Sequence, residues 1–360
     1  MFALLDISIE RTHNASFGYI ASVTAILDVK FNDDNLLSIK SQKIGNILGS
    51  LVDMVSGEAF RIAYSPEKRF ESAFVYFKNP LILSTSSFGY SYYYIFNVSS
   101  TDFYKTVKEQ LQTEIPVIAT YPLTKSLVEW GIIKDLSSEK IVLTTFTGEK
   151  QLSINEHKDY LEETLWYTLD NKEPVKAKSH LFFITKKRRD VEKEGLFELA
   201  IKRARFLYYL PKITFNGIAF SAGEAAFNEI IEDLRRERNY WKLKKEELLA
   251  LSKWNGTPFV YLWRKLESIN NFIQILQNFY TGKEQKAIKK ALQSSENALK
   301  FAAQYHSALS FDRIHDNILG NEKDLVMKIT DPERRETGIL TLRQIKDALS
   351  STLVYMEDII

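Results

Sequence analysis

A polar loop that runs into a helix of small residues is the first place in the sequence where a nucleophile could stand. In the stretch NASFGYIASVTAILD, from Asn14 to Asp28, Ser16 comes just before the helical pattern, and the amides at a helix start lower the pKa of a nucleophile there. His13 lies in the same loop and could accept the proton of Ser16, as Ser-His pairs do in acyl transfer. A serine in this position also serves as an N-cap for the helix amides, and we favour the N-cap.

Arg61 is the charged side chain whose position most suggests ligand binding. It follows Phe60 in a predicted turn, and a guanidinium can bind a carboxylate or a phosphate through two parallel hydrogen bonds. The alternative is an ion pair with a buried acid such as Glu58 or Glu129. We favour the ion pair and keep Arg61 as a candidate ligand contact.

The remaining histidines form neither a catalytic nor a metal-binding pattern. His157 falls in the first turns of a helix, His180 begins a strand, and His306 and His315 lie on or after a C-terminal helix. Neither of the last two has an Asp or Glu at the i, i+4 spacing of a helical metal pair. We therefore predict a structural role for each of them, with no metal and no cofactor.

Alternating strand and helix patterns must position these residues in the first half of the chain. Aromatic and β-branched runs predict strands at 3–9, 60–64, 73–77, 90–98, 116–122, 129–136, 140–146 and 179–189. Helical spacing and capping signals predict helices at 16–31, 41–56, 100–115 and 153–169. Ser100 and Thr101 resemble N-caps, and Ser153 and Glu156 have capping-box spacing. The two strands that flank the turn SSEK predict a hairpin.

Helices follow almost throughout from about residue 190. Apolar residues recur at helical spacing at 195–210, 223–241, 260–280, 284–311 and 341–359. The polar segment 315–338 is typical of a loop. We therefore predict an α+β domain over residues 1–188 and an α-helical region over 189–360.

Composition limits the function classes. The 48 basic and 46 acidic residues leave a formal net charge of +2, so no overall field draws the chain to nucleic acid or to an anionic membrane. The absence of cysteine excludes disulfides, thiolate zinc sites and a cysteine nucleophile. The N-terminal sequence predicts neither a signal peptide nor a membrane anchor, which favours the cytoplasm. Few Met and Gly beside abundant Lys and Glu suit a heat-adapted source.

Three short motifs and the order of elements carry a family resemblance. The motifs are the turn MVSGEAFRIAYSP at 54–66, the strand PVI at 116–118 and the hairpin start WGII at 130–133, followed by Glu139 to Ile141. Within the turn, the matching residues are Ser56, Gly57, Ala59, Phe60 and Arg61. With these motifs, the chain resembles the family of butirosin biosynthesis protein H, and the segments 152–166 and 196–360 resemble the family's later helices.

The resemblance implies a papain-like α+β fold related to the bacteriocin-processing peptidases, with helices packed on an antiparallel sheet and a helical C-terminal region. It also implies acyl transfer by a helix-start cysteine, a hairpin histidine and an orienting aspartate, with an acyl carrier protein as partner. In this sequence those positions hold Gly18, Glu129, and Thr144 or Thr145. Because glycine is not a nucleophile, we predict a non-catalytic descendant, a pseudoenzyme.

The non-catalytic hypothesis leaves a remnant active-site cleft for an unknown small molecule or protein partner. Its predicted lining is Ser16, Gly18, Arg61, Glu129 and Trp130. The C-terminal helices have two open roles, a homodimer interface or a cover over the cleft.

Two other function classes stay open. An acyltransferase or amide hydrolase would use a displaced nucleophile, with Ser16 and His13 as the candidates. A nucleic-acid-binding protein would join the basic runs Lys186 to Arg189 and Arg235 to Arg238 into one face. Acids follow the first run and the second ends a helix, so we favour solvated surface for both.

Overall fold

The computed structural model describes residues 7, 9, 18–31, 47–64, 78–124, 127–145, 148–163, 165–166, 175–176, 179–215, 218–236, 245–309 and 330–360. The helices are α1 (Gly18–Ala25), α2 (Ile47–Ser56), α3 (Lys78–Ser87), α4 (Ser100–Gln112), α5 (Ile154–Glu163), α6 (Lys193–Tyr209), α7 (Gly223–Arg235), α8 (Lys245–Phe279), α9 (Gln285–Leu309) and α10 (Pro332–Glu357). The strands are β1 (Ala63–Tyr64), β2 (Tyr90–Val98), β3 (Val117–Thr124), β4 (Leu127–Leu136), β5 (Lys140–Thr145), β6 (Gly148–Ser153), β7 (Leu165–Trp166), β8 (Val175–Lys176), β9 (Ser179–Lys187), β10 (Lys212–Phe215) and β11 (Ile218–Ala222).

The chain divides into two compact units. The first contains Met1–Glu58 and Phe77–Ala200, and the second contains Ala59–Tyr76 and Ile201–Ile360. The division therefore differs from the sequence-based boundary at residue 188 in two respects. The second unit includes the segment 59–76 from the first half of the chain, and the first unit extends into α6.

A six-stranded antiparallel sheet forms the centre of the first unit. The strand order is β2-β9-β3-β4-β5-β6, and every neighbouring pair is antiparallel. The predicted hairpin is confirmed as β4 and β5, in which Gly131 pairs with Thr145 and Leu136 pairs with Ile141. Because β9 lies between β2 and β3, the last long strand of the unit joins strands from its first half. The mixed α+β class with an antiparallel sheet is confirmed.

One face of this sheet carries α4 and α5. Phe103, Val107 and Leu111 recur every four residues along α4 and are buried, so that one side of the helix packs into the core. They join sheet residues such as Val117 and Phe183 in a single hydrophobic cluster. Along β3, β5 and β9 the side chains of this cluster alternate with those of the opposite face, as expected for strands covered on both sides.

Capping interactions set the starts of both helices. The predicted capping box is confirmed at α5: the Ser153 N–H donates to Glu156 Oε2 at 3.0 Å, and the Glu156 N–H donates to Ser153 Oγ at 3.2 Å. The N-cap of α4 is Ser99, whose Oγ accepts from the Asp102 N–H at 3.1 Å. The prediction of Ser100 or Thr101 was wrong by one or two residues, because Ser99 is the residue with extended backbone.

Helix α1 lies on the other face, against β3, β4, α2 and α3. Every residue from Tyr19 to Asp28 is buried, and a helix surrounded on all sides must be apolar or small all round. That requirement accounts for the sequence GYIASVTA. The helix continues as a π-helical turn, Ile26–Lys30, and ends at Phe31, where the sequence predicted its end.

Several segments of the first unit differ from prediction, among them β6 and β8, for which no strand was predicted. Helix α3 was not predicted, because its sequence KNPLILSTSS is poor in helix-favouring residues. Its serines bond back to the helix: Ser84 Oγ donates to the Pro80 carbonyl at 2.7 Å, and Ser86 Oγ donates to the Ile82 carbonyl at 2.5 Å.

The helix predicted at 153–169 ends at Glu163, and Leu165–Trp166 pairs with β8 as a strand. The predicted strands at 3–9 and 73–77 lie outside the described residues, apart from 7 and 9.

The second unit combines a small antiparallel sheet, in the order β1-β11-β10, with helices α7 to α10. Only Ala63–Tyr64 of the strand predicted at 60–64 pairs in a sheet, because Glu58–Phe60 forms a 3-10 turn. The hairpin β10–β11 was not predicted, although the sequence between its strands is Asn-Gly, a strong hairpin signal.

Helices α8 and α10 begin earlier in the chain than predicted. The prediction of a loop over 315–338 was wrong for its last seven residues, which belong to α10. Asp331 caps this helix by accepting from the Glu333 N–H at 2.9 Å, and Pro332 occupies the first helical position, where no N–H is needed. None of the described helices has the length and apolar character needed to cross a membrane.

Candidate functional site

The start of α1 lies against strands β3 and β4. Gly18 is the first helical residue, and the ring of the next residue, Tyr19, contacts Trp130 edge to face, with 6.2 Å between centroids. Trp130 is buried in β4 opposite Thr120 of β3. The two segments that the family resemblance matched to the nucleophile helix and the histidine hairpin are therefore in direct contact.

His180, for which the sequence predicted a structural role, also lies at this site. It lies in β9, and its ring centroid is 6.1 Å from that of Trp130. Tyr94 of β2 stacks on the imidazole with an interplanar angle of 16°, and its hydroxyl lies 2.7 Å from His180 Nδ1. We call Tyr19, Trp130, His180 and Tyr94 the aromatic cluster.

Strand register explains why these side chains meet. Tyr94 pairs with Phe182 of β9. Because His180 and Phe182 are two residues apart in the same strand, their side chains point to the same face of the sheet. Ala119 of β3 pairs with both Leu181 and Gly131. The next position along β3 therefore lies between His180 and Trp130. His180 alternates along β9 with Leu181 and Phe183, which belong to the cluster on the α4–α5 face, so His180 faces the α1 side.

Tyr94 and His180 are uncharged at neutral pH. Burial lowers the pKa of His180 to about 4, because a low-dielectric environment disfavours the imidazolium. Burial also raises the pKa of Tyr94 well above its usual value. Either the phenol donates to Nδ1 or the imidazole N–H donates to the phenol oxygen. An imidazole with so low a pKa is a weak general base at pH 7.

Thr144 and Thr145, which occupy the predicted aspartate position, are part of the central sheet. Thr144 and Thr145 are buried in β5, and Thr145 Oγ1 donates to the Gly148 carbonyl at 2.6 Å across the turn to β6. A Cβ on Gly131 would lie 2.7 Å from the Thr144 carbonyl oxygen. Glycine therefore lets β4 and β5 approach closely beside Trp130.

The other predicted cleft residues are Ser16, Glu129 and Arg61, and His13 is the predicted catalytic partner of Ser16. Ser16 and His13 lie outside the described residues. Glu129 lies in β4, where its backbone pairs with Tyr121 of β3. Arg61 is half-buried in the second unit, and its carbonyl oxygen accepts from Lys265 Nζ at 2.9 Å.

The basic runs contact acids and hydroxyls within their own units. Lys187 Nζ lies 3.0 Å from Asp190 and 5.9 Å from the centre of the Tyr90 ring, and Arg188 Nε donates to Ser91 Oγ. Arg235 pairs with Glu232 at 2.6 Å. The last two residues of the second run lie outside the described part of the chain.

Histidines and acids of the described residues form no cluster of three that could hold a metal ion. His157 is buried with Tyr104 and Phe103 in the α4–α5 layer, away from the face that carries the aromatic cluster. Comparison with protein-family models and with curated proteins finds no match to this sequence.

Proposed function

We propose that this chain is a papain-like protein of the butirosin biosynthesis protein H type that no longer catalyses acyl transfer. It binds a small molecule or a protein partner through the remnant cleft beside the start of α1. The observation that carries the proposal is the contact between Tyr19 and Trp130. A papain-like site requires the start of the central helix to meet the hairpin, and these two residues adjoin Gly18 and Glu129.

The residue types support the loss of catalysis. A papain-like mechanism needs a nucleophile, a base within hydrogen-bond reach and a group that orients the base. Glycine stands at the helix start, and the described threonines near the hairpin are buried in the sheet. The aromatic cluster instead offers apolar rings with one neutral hydrogen-bonded pair, which suits recognition of an uncharged or aromatic group.

A chain without cysteine permits a sharp test of the papain-like alignment. The variant Gly18→Cys introduces a single thiol, and the double variant Gly18→Cys, Glu129→His adds an imidazole at the predicted histidine position. We expect the histidine to lower the thiol pKa below about 7, as in Cys-His pairs. The readout is the rate of alkylation by iodoacetamide as a function of pH. Gly195→Cys, with and without Glu129→His, is the matched control, because Gly195 is exposed on α6.

The two parts of the proposal fail separately. An unchanged pH profile in the double variant, with the fold intact by circular dichroism, would overturn the papain-like alignment. Loss of catalysis is tested on the natural sequence with acyl thioesters of N-acetylcysteamine and intact-mass spectrometry. A stable acyl adduct, or turnover above the buffer rate, would overturn the non-catalytic assignment. Native mass spectrometry of the purified chain tests ligand retention, which Trp130→Ala should reduce.

The hydrogen bond between Tyr94 and His180 favours a second candidate, an acyltransferase or amide hydrolase. A phenol on Nδ1 holds the imidazole in one orientation, which is the task of the third member of a catalytic triad. This candidate predicts that His180→Gln abolishes an acylation that the natural sequence performs. It requires a nucleophile such as Ser16, so Ser16→Ala must have the same effect.

A further inference from the structure

A surface groove in the second unit lies at the C-terminal end of α6. Its lining residues are Lys202, Arg205, Phe206, Tyr209, Leu210 and Pro211, and its volume is about 630 Å³. We call it the α6 groove. Small-molecule sites commonly have volumes of roughly 300 to 1,000 Å³. The volume of the α6 groove lies within this range, and the groove is open to solvent.

Large apolar side chains are exposed around the groove. Phe206 is 64% exposed and Tyr209 is 44% exposed. The Tyr209 hydroxyl lies 3.4 Å from Ser350 Oγ, and Arg205 contacts Glu357, so α10 runs alongside this part of α6. Val354, which is 49% exposed, lies between those two contact points on α10. Single exposed apolar residues are common, whereas a cluster of them marks a binding surface.

Cations and aromatic rings share one stripe of α6. Lys202 and Phe206 are four residues apart, as are Arg205 and Tyr209, and this spacing puts each cation beside a ring on the helix surface. Both charged residues that line the groove are cations. The arrangement complements a molecule that has an apolar ring system and a negative charge at its edge.

The ion pair of Arg205 with Glu357 does not prevent anion binding. Arg205 Nε lies 3.1 Å from Glu357 Oε1, and the arginine side chain is 61% exposed. Exposed pairs of this kind contribute little stability, and a guanidinium has five N–H donors, of which this contact uses one. A ligand carboxylate, sulfonate or phosphate can therefore bind the same guanidinium at small cost.

We propose that the α6 groove binds a free small molecule with an aromatic body and one anionic group. Phe206 and Tyr209 contact the rings, and Lys202 and Arg205 contact the anion. The groove belongs to the second unit and is independent of the aromatic cluster and of the function proposed for it. A second copy of the chain is the other occupant that the exposed rings could accept, and the test below separates the two.

The test uses 8-anilinonaphthalene-1-sulfonate as the anionic probe and N-phenyl-1-naphthylamine as its uncharged analogue. Fluorescence titration of the full chain should show one saturable site for the anionic probe. Phe206→Ala should weaken binding of both compounds about tenfold. The double variant Lys202→Gln, Arg205→Gln should lower the affinity for the anionic probe about tenfold. It should leave the affinity for the neutral analogue unchanged. Added salt should lower the affinity for the anionic probe and leave that for the neutral analogue unchanged.

Matched controls lie elsewhere on the surface. Tyr93→Ala removes a ring that is 67% exposed in the first unit, and Lys289→Gln removes an exposed cation of α9. Neither should change the affinity. Equal losses from Phe206→Ala and Tyr93→Ala would overturn the proposal, and so would equal losses of both compounds in the double cation variant. A dimer in light scattering that Phe206→Ala dissociates would assign the groove to a second copy instead.

Discussion

The hydroxyl of Tyr94 lies 2.7 Å from Nδ1 of His180, and the two rings stack across neighbouring strands of the central sheet. The hydrogen bond satisfies two polar groups that burial would otherwise destabilise. It also connects β2 to the face of β9 that carries the aromatic cluster. Together with the contact of Lys187 and the Tyr90 ring, it is one of the side-chain contacts between β2 and β9.

Removing the Tyr94 hydroxyl should destabilise the first unit modestly. We expect Tyr94→Phe to lower the free energy of unfolding by about 1 kcal/mol, since the ring packing stays and one hydrogen bond is lost. Tyr93→Phe is the matched control, because Tyr93 points to the opposite face and is 67% exposed. Urea unfolding followed by circular dichroism gives both values. Equal effects of the two substitutions would show that the hydrogen bond contributes no stability.

Acid should destabilise the fold through His157. Its Nδ1 lies 2.8 Å from the Tyr104 hydroxyl, while Nε2 is buried without a hydrogen-bond partner, and burial lowers the pKa of His157 to about 4. The unfolded chain binds the proton near pH 6.5. As pH falls from 7 to about 4.5, the unfolded state takes up nearly all of that proton and the folded state takes up little of it. The folded state therefore loses about 2 kcal/mol of stability over this interval.

Substitution of His157 should flatten this acid dependence. We expect His157→Phe to show a smaller loss of unfolding free energy between pH 7 and pH 4.5 than the natural sequence, measured by urea unfolding at each pH. If the unfolding free energy of His157→Phe depends on pH as steeply as that of the natural sequence, then the pKa of His157 in the folded state is not lowered.

The N-cap of α4 gives a prediction that distinguishes neighbouring serines. Ser99→Ala should lower stability by about 1 kcal/mol, because the Asp102 N–H loses the Ser99 Oγ at 3.1 Å. Ser100→Ala changes a residue inside the first turn and should have a smaller effect. Thermal unfolding of the two variants side by side measures the difference. A larger loss of stability from Ser100→Ala than from Ser99→Ala would show that Ser100 is the N-cap, as the sequence predicted.

Close backbone approach makes Gly223 intolerant of a side chain. Its φ is +53°, and an added Cβ would collide with the Tyr208 carbonyl oxygen and lie 2.7 Å from that of Leu207. We expect Gly223→Ala to lower the unfolding free energy by about 1 to 3 kcal/mol. Gly195→Ala is the control, since a Cβ there meets nothing within 4 Å, and it should stabilise α6 by up to about 1 kcal/mol. Equal Tm changes of the same sign would contradict the steric argument.

Local patterns in the sequence were sufficient for much of the secondary structure. The spacing of Phe103, Val107 and Leu111, the capping box at Ser153 and the turn SSEK each act over a few residues, and each is confirmed. Helix α3 was missed because its stability depends on burial against α1, α2 and β2 and not on the propensity of its own residues.

The sequence by itself determined the α+β class, the hairpin, most helices and the presence of glycine at the start of α1. Only the tertiary structure decided that Tyr19, Trp130, His180 and Tyr94 form one cluster, because they come from four segments that are far apart in the chain. It also decided that Ala59–Tyr76 belongs with the C-terminal helices. Capping and periodicity depend on neighbours within about four residues, whereas strand order and register depend on burial over the whole unit.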